Sequence, residues 1–355
     1  MYPRLVIDLE KVKNNVRVMR ELTDRGNCEL GLVTKSFCAD PEIVKAIDSV
    51  GIDFFADARI QNLESYKEIK TPKMLLRLPQ HCEIEKVVSF ADMSLNSELS
   101  TIKLLDQEAA KQGKTHKVVL MIDLGDLREG IFFKDEDIIM STVEEILKLK
   151  NIKLHGVGVN LTCYGAVIPK QDNLSTLVEI AGKIESRFNI KLDMISGGNS
   201  SSIYLIDKDG LPEGINSLRV GEAFILGNET AYGERVEGTF DDAITFEAQI
   251  IELKEKPTLP IGEIGLDAFG QKPFYEDKGI AKRAILAVGK QDTDIESMTA
   301  LDPDIYIFGA SSDHMIMDMT NSKIDYKVGD TVKFKLGYGA LLKLSTSKYI
   351  SRVYV

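Results

Sequence analysis

From residue 28 to about 225, short apolar runs alternate with longer segments of helical period, and this alternation limits the possible folds more than any single motif does. The runs are "CELGLVTK", "DFFADA", "KMLLRL", "MSLN", "HKVVLMIDL", "IKLHGVGVN", "LDMIS" and "SLRVGEA", eight in all. Between them lie stretches such as "PEIVKAIDSV" and "NLSTLVEIAGKIESRF", whose apolar residues recur every three or four positions. Parallel neighbours need helical crossovers, and eight such units can close on themselves. The reading is α/β: a (β/α)8 TIM barrel over 1–230, followed by a mostly-β C-terminal domain over 231–355. The second domain rests on "DDAITFEAQIIELKE", "KRAILAVG", "DIYIFGA", "HMIMDMT", "DTVKFKLGYG" and "KYISRVYV", broken by Gly, Pro and Asp. The opening strand, residues 2–9, precedes the barrel's first helix and is left open to pairing with the β domain.

A chain of 355 residues is long enough for a barrel with an appended domain. Its 55 acidic and 44 basic residues give a net charge of -11 without charge blocks, which argues against nucleic acid and anionic membrane as partners. A small cation suits that field. The N-terminus turns charged too early for a signal sequence, no apolar run is long enough to span a bilayer, and the expected location is cytoplasmic. Cys28, Cys38, Cys82 and Cys163 form no CxxC, and there are 4 histidines, so neither a disulfide framework nor a metal site is expected.

In such a barrel the functional loops follow the C-terminal ends of the strands. Lys35 ends the first run, Arg77 the third and Asn96 the fourth; Asp123 and Arg128 follow the fifth, and Asn160 and Thr162 close the sixth. The seventh runs into "SGGNSSS", Ser196 to Ser202, and the eighth carries Arg219 and Gly221. Two glycines that admit close backbone approach, several hydroxyls and Asn199 suit a phosphate at the loops after strands seven and eight. The plainer alternative is a flexible Gly/Ser turn. A single lysine is ordinarily a solvated charge, but one at a strand end, between Thr34 and Ser36 and facing a phosphate site, suggests a Schiff base with pyridoxal 5'-phosphate.

On these residues the chain resembles the alanine racemase-like pyridoxal-phosphate (fold type III) family, and the likeness runs end to end. "LGLVTKSFC" matches the family's cofactor lysine at Lys35. "DLGDLREG" places Arg128 where the family contacts cofactor and substrate carboxylate. Asn199 and Ser200 match its phosphate pair, and Arg219 and Gly221 its Arg-x-Gly. The resemblance implies a homodimeric amino acid racemase with active sites at the subunit interface. Arg219 is informative because a guanidinium only donates, so it leaves a pyridine nitrogen unprotonated and favours a racemase over a decarboxylase. Taken alone, Arg219 is equally readable as half of an ion pair between elements. A non-catalytic carrier of the same cofactor would not need the β domain.

Racemisation needs an acid/base on each face of Cα. Lys35 serves one. The family's second base, a tyrosine, corresponds to Lys290 in "VGKQDTD", while "GASSDHMIMD" sets Asp313 and His314 at the expected edge of the site. His314 is preferred for the second base, then Lys290, with Tyr338 and Cys163 behind them. Asn160 stands where the family has a histidine, and "KSFCAD" lacks the family's tyrosine after the lysine. Loss of that ring makes room for a side chain longer than alanine's, whose terminal ammonium Asp123, Asp292 or Asp313 can hold.

Overall fold

The computed structural model describes residues 1–355, which part into two compact units, Glu10–Phe240 and Met1–Leu9 with Asp241–Val355. The chain opens on β1 (Arg4–Ile7) and α1 (Leu9–Arg25). There follow β2 (Glu29–Val33), α2 (Pro41–Val50), β3 (Phe54–Asp57), α3 (Ile60–Ser65), β4 (Lys73–Leu75), α4 (Ile84–Phe90), β5 (Met93–Asn96) and α5 (Leu99–Gln112). Next come β6 (His116–Asp123), the two-residue β7 (Ile131–Phe132), α6 (Glu136–Leu147), β8 (Ile152–Gly158), α7 (Gln171–Phe188), β9 (Met194–Asn199), α8 (Tyr204–Asp207), β10 (Ser217–Val220) and α9 (Glu222–Leu226).

β2, β3, β4, β5, β6, β8, β9 and β10 pair in parallel in that order, and β10 returns to β2 through Ser217↔Glu29 and Val220↔Leu32. The barrel is closed, and its eight strands are those read from the sequence. Its interior is packed by Phe54, Met74, Leu95, Val119, Met121 and Met194, each contributing about 1.5–3 kcal/mol by burial. Gly156 is required on β8, because a Cβ there would lie 1.8 Å from the Met194 carbonyl oxygen. The helices have local causes too: Asp40 caps α2 by accepting from the Glu42 and Ile43 amides at 3.0 and 3.2 Å, with Pro41 in the first turn. Buried Asn15 on α1 donates to the Phe224 and Phe240 carbonyls at 2.8 and 2.7 Å, tying both ends of the unit together.

The other unit contains β11 (Ile244–Pro257), β12 (Ile280–Leu286), β13 (Met298–Ala300), β14 (Tyr306–Ala310), β15 (Met315–Asp318), β16 (Thr331–Leu336), α10 (Tyr338–Thr346) and β17 (Ser351–Tyr354). β11 is long enough to serve both halves of the sheet: Thr245–Gln249 pair with β16 and Ile250–Pro257 with β12. β1 lies antiparallel to β11 and parallel to β17, so the first strand of the chain is built into this sheet. Phe246 and Phe334 stack beneath it with ring centroids 6.0 Å apart.

Candidate active site at the barrel mouth

The sequence carries the first barrel strand through Lys35; the structure ends it at Val33. Thr34 keeps one ladder bond, from its amide to the Ala56 carbonyl at 2.9 Å. It then turns to helical dihedrals (φ −91°, ψ −5°), and Lys35 opens a 3-10 turn through Phe37. The turn is anchored by buried Phe37, edge-on to Phe224 of α9 at 6.1 Å. Beyond it, Cys38 and Ala39 are both left-handed (φ 53° and 51°). Thr162, in the loop after β8, has φ 67°, a costly conformation for a β-branched residue. Strain of this kind gathers where a loop must hold side chains for use.

Across the mouth, "SGGNSSS" forms the end of β9 and a 3-10 turn, Ser200–Ser202. Asn199 ends β9 and its amide oxygen accepts from the Ser201 amide at 2.8 Å. Ser200 Oγ accepts from the Gly221 and Ala223 amides at 3.1 and 3.2 Å. With both lone pairs used, its own proton remains to be donated. Ser201 Oγ is buried and has no partner. Gly221 lies close against β2, where a Cβ would come 3.2 Å from the Val33 Cβ.

Asn199 Nδ2 also donates to the Leu161 carbonyl at 2.9 Å, and lies 2.9 Å from the Asn160 amide and 3.4 Å from Cys163 Sγ. Asn160 thus sits between two donors. With its oxygen turned to Arg128, it accepts from Nη2 at 2.7 Å. Arg128 is ion-paired to Glu129, which raises its pKa above the usual guanidinium value.

Arg219, on β10, is 3% exposed. It donates through Nη2 to the Val159 carbonyl at 2.5 Å and brings Nη1 within 4.0 Å of Met121 Sδ. No carboxylate pairs with it, so the ion-pair reading open in the sequence is not realised. Burial pushes its pKa down to about 10. Such a guanidinium holds donors in reserve for an acceptor.

Two carboxyls escaped the sequence reading. Asp57 ends β3 and Glu222 opens α9; burial raises both pKa values and the charge of Lys35 draws both back. A strand-end aspartate in "FFAD" was a signal open to use. Arg77 pairs with Glu83 at 3.0 Å. Asp123 accepts from the Gly125 and Leu127 amides, so its carboxylate shapes its own loop.

The remaining candidates belong to the β unit, where Lys290 and His314 lie on adjoining turns. The Lys290 amide donates to the Ser311 carbonyl, and the Ser311 amide to the His314 carbonyl, each at 2.9 Å. The Lys290 ammonium stands 4.5 Å from the Phe269 ring centroid. Asp313 accepts from Ser312 Oγ at 2.6 Å, and Asp292 from Ser347 Oγ at 2.6 Å.

A closed parallel barrel with an isolated lysine, hydroxyl donors and buried arginine at its mouth, in a chain that also builds an antiparallel β unit, defines a barrel-type enzyme of the alanine racemase fold. The chain belongs to the alanine racemase family: residues 7–229 match the family's N-terminal domain. It is 57% identical over 352 residues to an ornithine racemase of Acetoanaerobium sticklandii, covering 99% of each chain. It is 36% identical over 356 residues to a lysine racemase of Thermotoga maritima, covering 100% of this chain and 99% of the relative. The solved alanine racemase from D-cycloserine producing Streptomyces lavendulae shares the fold, with a TM-score of 0.76 at 17% identity, covering 100% of this chain and 98% of the other.

Proposed function

We propose that this chain is a pyridoxal 5'-phosphate-dependent amino acid racemase that interconverts L- and D-ornithine by two-base transfer of the Cα proton. The observation that carries the reading is Arg219, a buried guanidinium with no carboxylate partner. The 57% identity to an ornithine racemase over 99% of the chain supports the choice of substrate.

The donor set fits the cofactor. Ser200 keeps a proton to give, Ser201 Oγ is buried without a partner, and Gly221 admits close backbone approach, all suited to a phosphate. When bound, pyridoxal 5'-phosphate supplies the electron sink that stabilises negative charge at Cα. Lys35 would hold the cofactor, and its amine would move the proton on one face of Cα. Arg128 and Asn160, already in contact, orient the substrate carboxylate and the cofactor's oxygen. Arg219 would donate to the ring nitrogen and leave it unprotonated, which would limit the sink and favour return of the proton to Cα. His314 or Lys290 serves the second face, with Asp313 at the edge of the substrate site.

The working form in this reading is a cytoplasmic homodimer with active sites at the subunit interface. The segment between β11 and β12 supports it: Ile261 is 93%, Phe274 91% and Leu266 72% exposed, an apolar surface that a second copy would cover. Sedimentation of the loaded protein tests this, and a monomer overturns it. The activity is tested in deuterated water, where either ornithine enantiomer should exchange its Cα proton and Lys35→Ala should abolish exchange. Exchange retained in that variant overturns the reading. Release of carbon dioxide would mark a decarboxylase, and cofactor binding without exchange a carrier. A panel including lysine and alanine ranks the side chains.

A further inference from the structure

Asp57 is fully buried, yet its carboxylate is used on both oxygens. Oδ1 accepts from the Arg59 amide at 2.8 Å, Oδ2 from the Thr34 hydroxyl at 2.5 Å, and Asn62 Nδ2 lies 3.1 Å from each oxygen. The Tyr66 hydroxyl lies 3.2 Å from Thr34 Oγ1. Thr34 has one proton and gives it to Asp57, so Tyr66 must donate to Thr34, and the chain of donors ends on the carboxylate. Every neighbour donates and none needs a proton from Asp57, the arrangement an ionised carboxylate requires. Burying such a charge is costly without a cation, and the one whose field it feels is Lys35.

The geometry around Lys35 is bracketed from both sides by this network. Thr34, immediately before it, is held by Asp57. Cys38, immediately after the 3-10 turn, brings its Sγ to 4.0 Å from Asn62 Oδ1, and Asn62 is itself held by Asp57. A helix-start turn on β3–α3 needs only Oδ1 on the Arg59 amide, which an asparagine serves equally well. The second oxygen is spent instead on the residue next to Lys35.

We propose that Asp57 is a positioning residue for Lys35: through Thr34 and Asn62 it fixes the turn that carries the lysine, and it keeps a carboxyl group within reach of the lysine's charge. The assignment rests on the proposed role of Lys35 as the cofactor lysine. The titratable groups around this pair are Tyr66 after α3, whose hydroxyl lies against Thr34, and Glu222 at the start of α9, which feels the charge of Lys35. None of these replaces the link from carboxylate to Thr34.

The test follows the absorbance of the Lys35-bound cofactor against pH. Wild-type protein loaded with pyridoxal 5'-phosphate should show a band that Lys35→Ala lacks and whose intensity titrates with pH. Removing the negative charge in Asp57→Asn disfavours the protonated nitrogen, so the midpoint should fall by about one pH unit or more. An unchanged midpoint in fully loaded Asp57→Asn overturns the proposal while leaving the cofactor reading intact. A wild-type band that Lys35→Ala does not remove, or no band at all, overturns the cofactor reading and this assignment with it. Should Asp57→Asn not fold, Thr34→Val carries the test. It should slow capture of the added cofactor about tenfold, the size of one hydrogen bond to a charged group, with Thr34→Ser restoring the rate. Equal rates in Thr34→Val and wild type overturn the positioning role.

Discussion

Arg219 Nη2 donates to the carbonyl oxygen of Val159 at 2.5 Å, and this is the guanidinium's one hydrogen bond to oxygen. A buried charge so thinly partnered stabilises the fold little, because its desolvation opposes what a single neutral acceptor returns. The site therefore retains a group that folding alone would not select.

The variant Arg219→Met, of similar volume, should consequently keep or raise thermal stability, with a change within about 1 kcal/mol. Racemisation should fall by about 100-fold, the cost of losing one charged donor at a reacting centre. Calorimetry beside a racemisation assay reads both. A large loss of stability with little loss of rate would make Arg219 a structural residue.

Ser200 links the two loops of the proposed phosphate cradle, since its oxygen accepts from the Gly221 and Ala223 amides and its proton remains to be donated. Ser200→Ala removes the free donor and leaves the half-buried Gly221 and buried Ala223 amides short of an acceptor. Cofactor dissociation should rise by about tenfold or more, measured by equilibrium dialysis, alongside a loss of about 1–3 kcal/mol in stability of the apo protein. Unchanged affinity would place the phosphate elsewhere.

His116 gives the fold a defined acid limit. It is 2% exposed, and its Nε2 lies 2.8 Å from Ser94 Oγ. Burial, then the nearby charge of Lys114, pushes its pKa down to about 4 from the ordinary 6.5. Below pH 6.5 the unfolded chain takes up a proton that the folded chain refuses until about pH 4, so stability falls as pH falls across that window. The slope is about 1.4 kcal/mol per pH unit and the total about 3 kcal/mol. Denaturant midpoints near neutrality and at about pH 4.5 should differ less in His116→Gln than in wild type; an equal difference would assign acid sensitivity to other groups.

Much of this architecture is legible in the sequence because a period of two or of 3.6 is a local property: all eight barrel strands are visible as apolar runs, and "YPRLVIDL" is visible as a strand outside them. Its partners are not. β1 pairs with β11 and β17, more than two hundred residues away, and no local pattern encodes that. At the mouth the residue types Lys35, Asn199, Ser200 and Arg219 could be read, but not their bonds. Lys35 looked like a strand end because Val33 and Thr34 are β-branched; the bond from Thr34 to Asp57 and the packing of Phe37 on Phe224 override that preference and make a turn. Asp57 itself carries no sequence signal beyond its place in "FFAD", since its burial is a consequence of closure.

The two candidates for the second base can be separated by what each face of Cα does alone. Lys290 and His314 share adjoining turns, joined through Ser311. With the second base gone, Lys35 can still remove and return a proton on its own face. One ornithine enantiomer should then exchange its Cα proton with deuterium and keep its configuration, while interconversion falls by about 100- to 10,000-fold, the worth of one positioned acid/base. His314→Gln and Lys290→Met are each assayed by mass spectrometry for exchange and by chiral chromatography for inversion. The variant that splits the two readings identifies the base. If both variants invert at the wild-type rate, neither residue reaches Cα, and the second proton comes from another group.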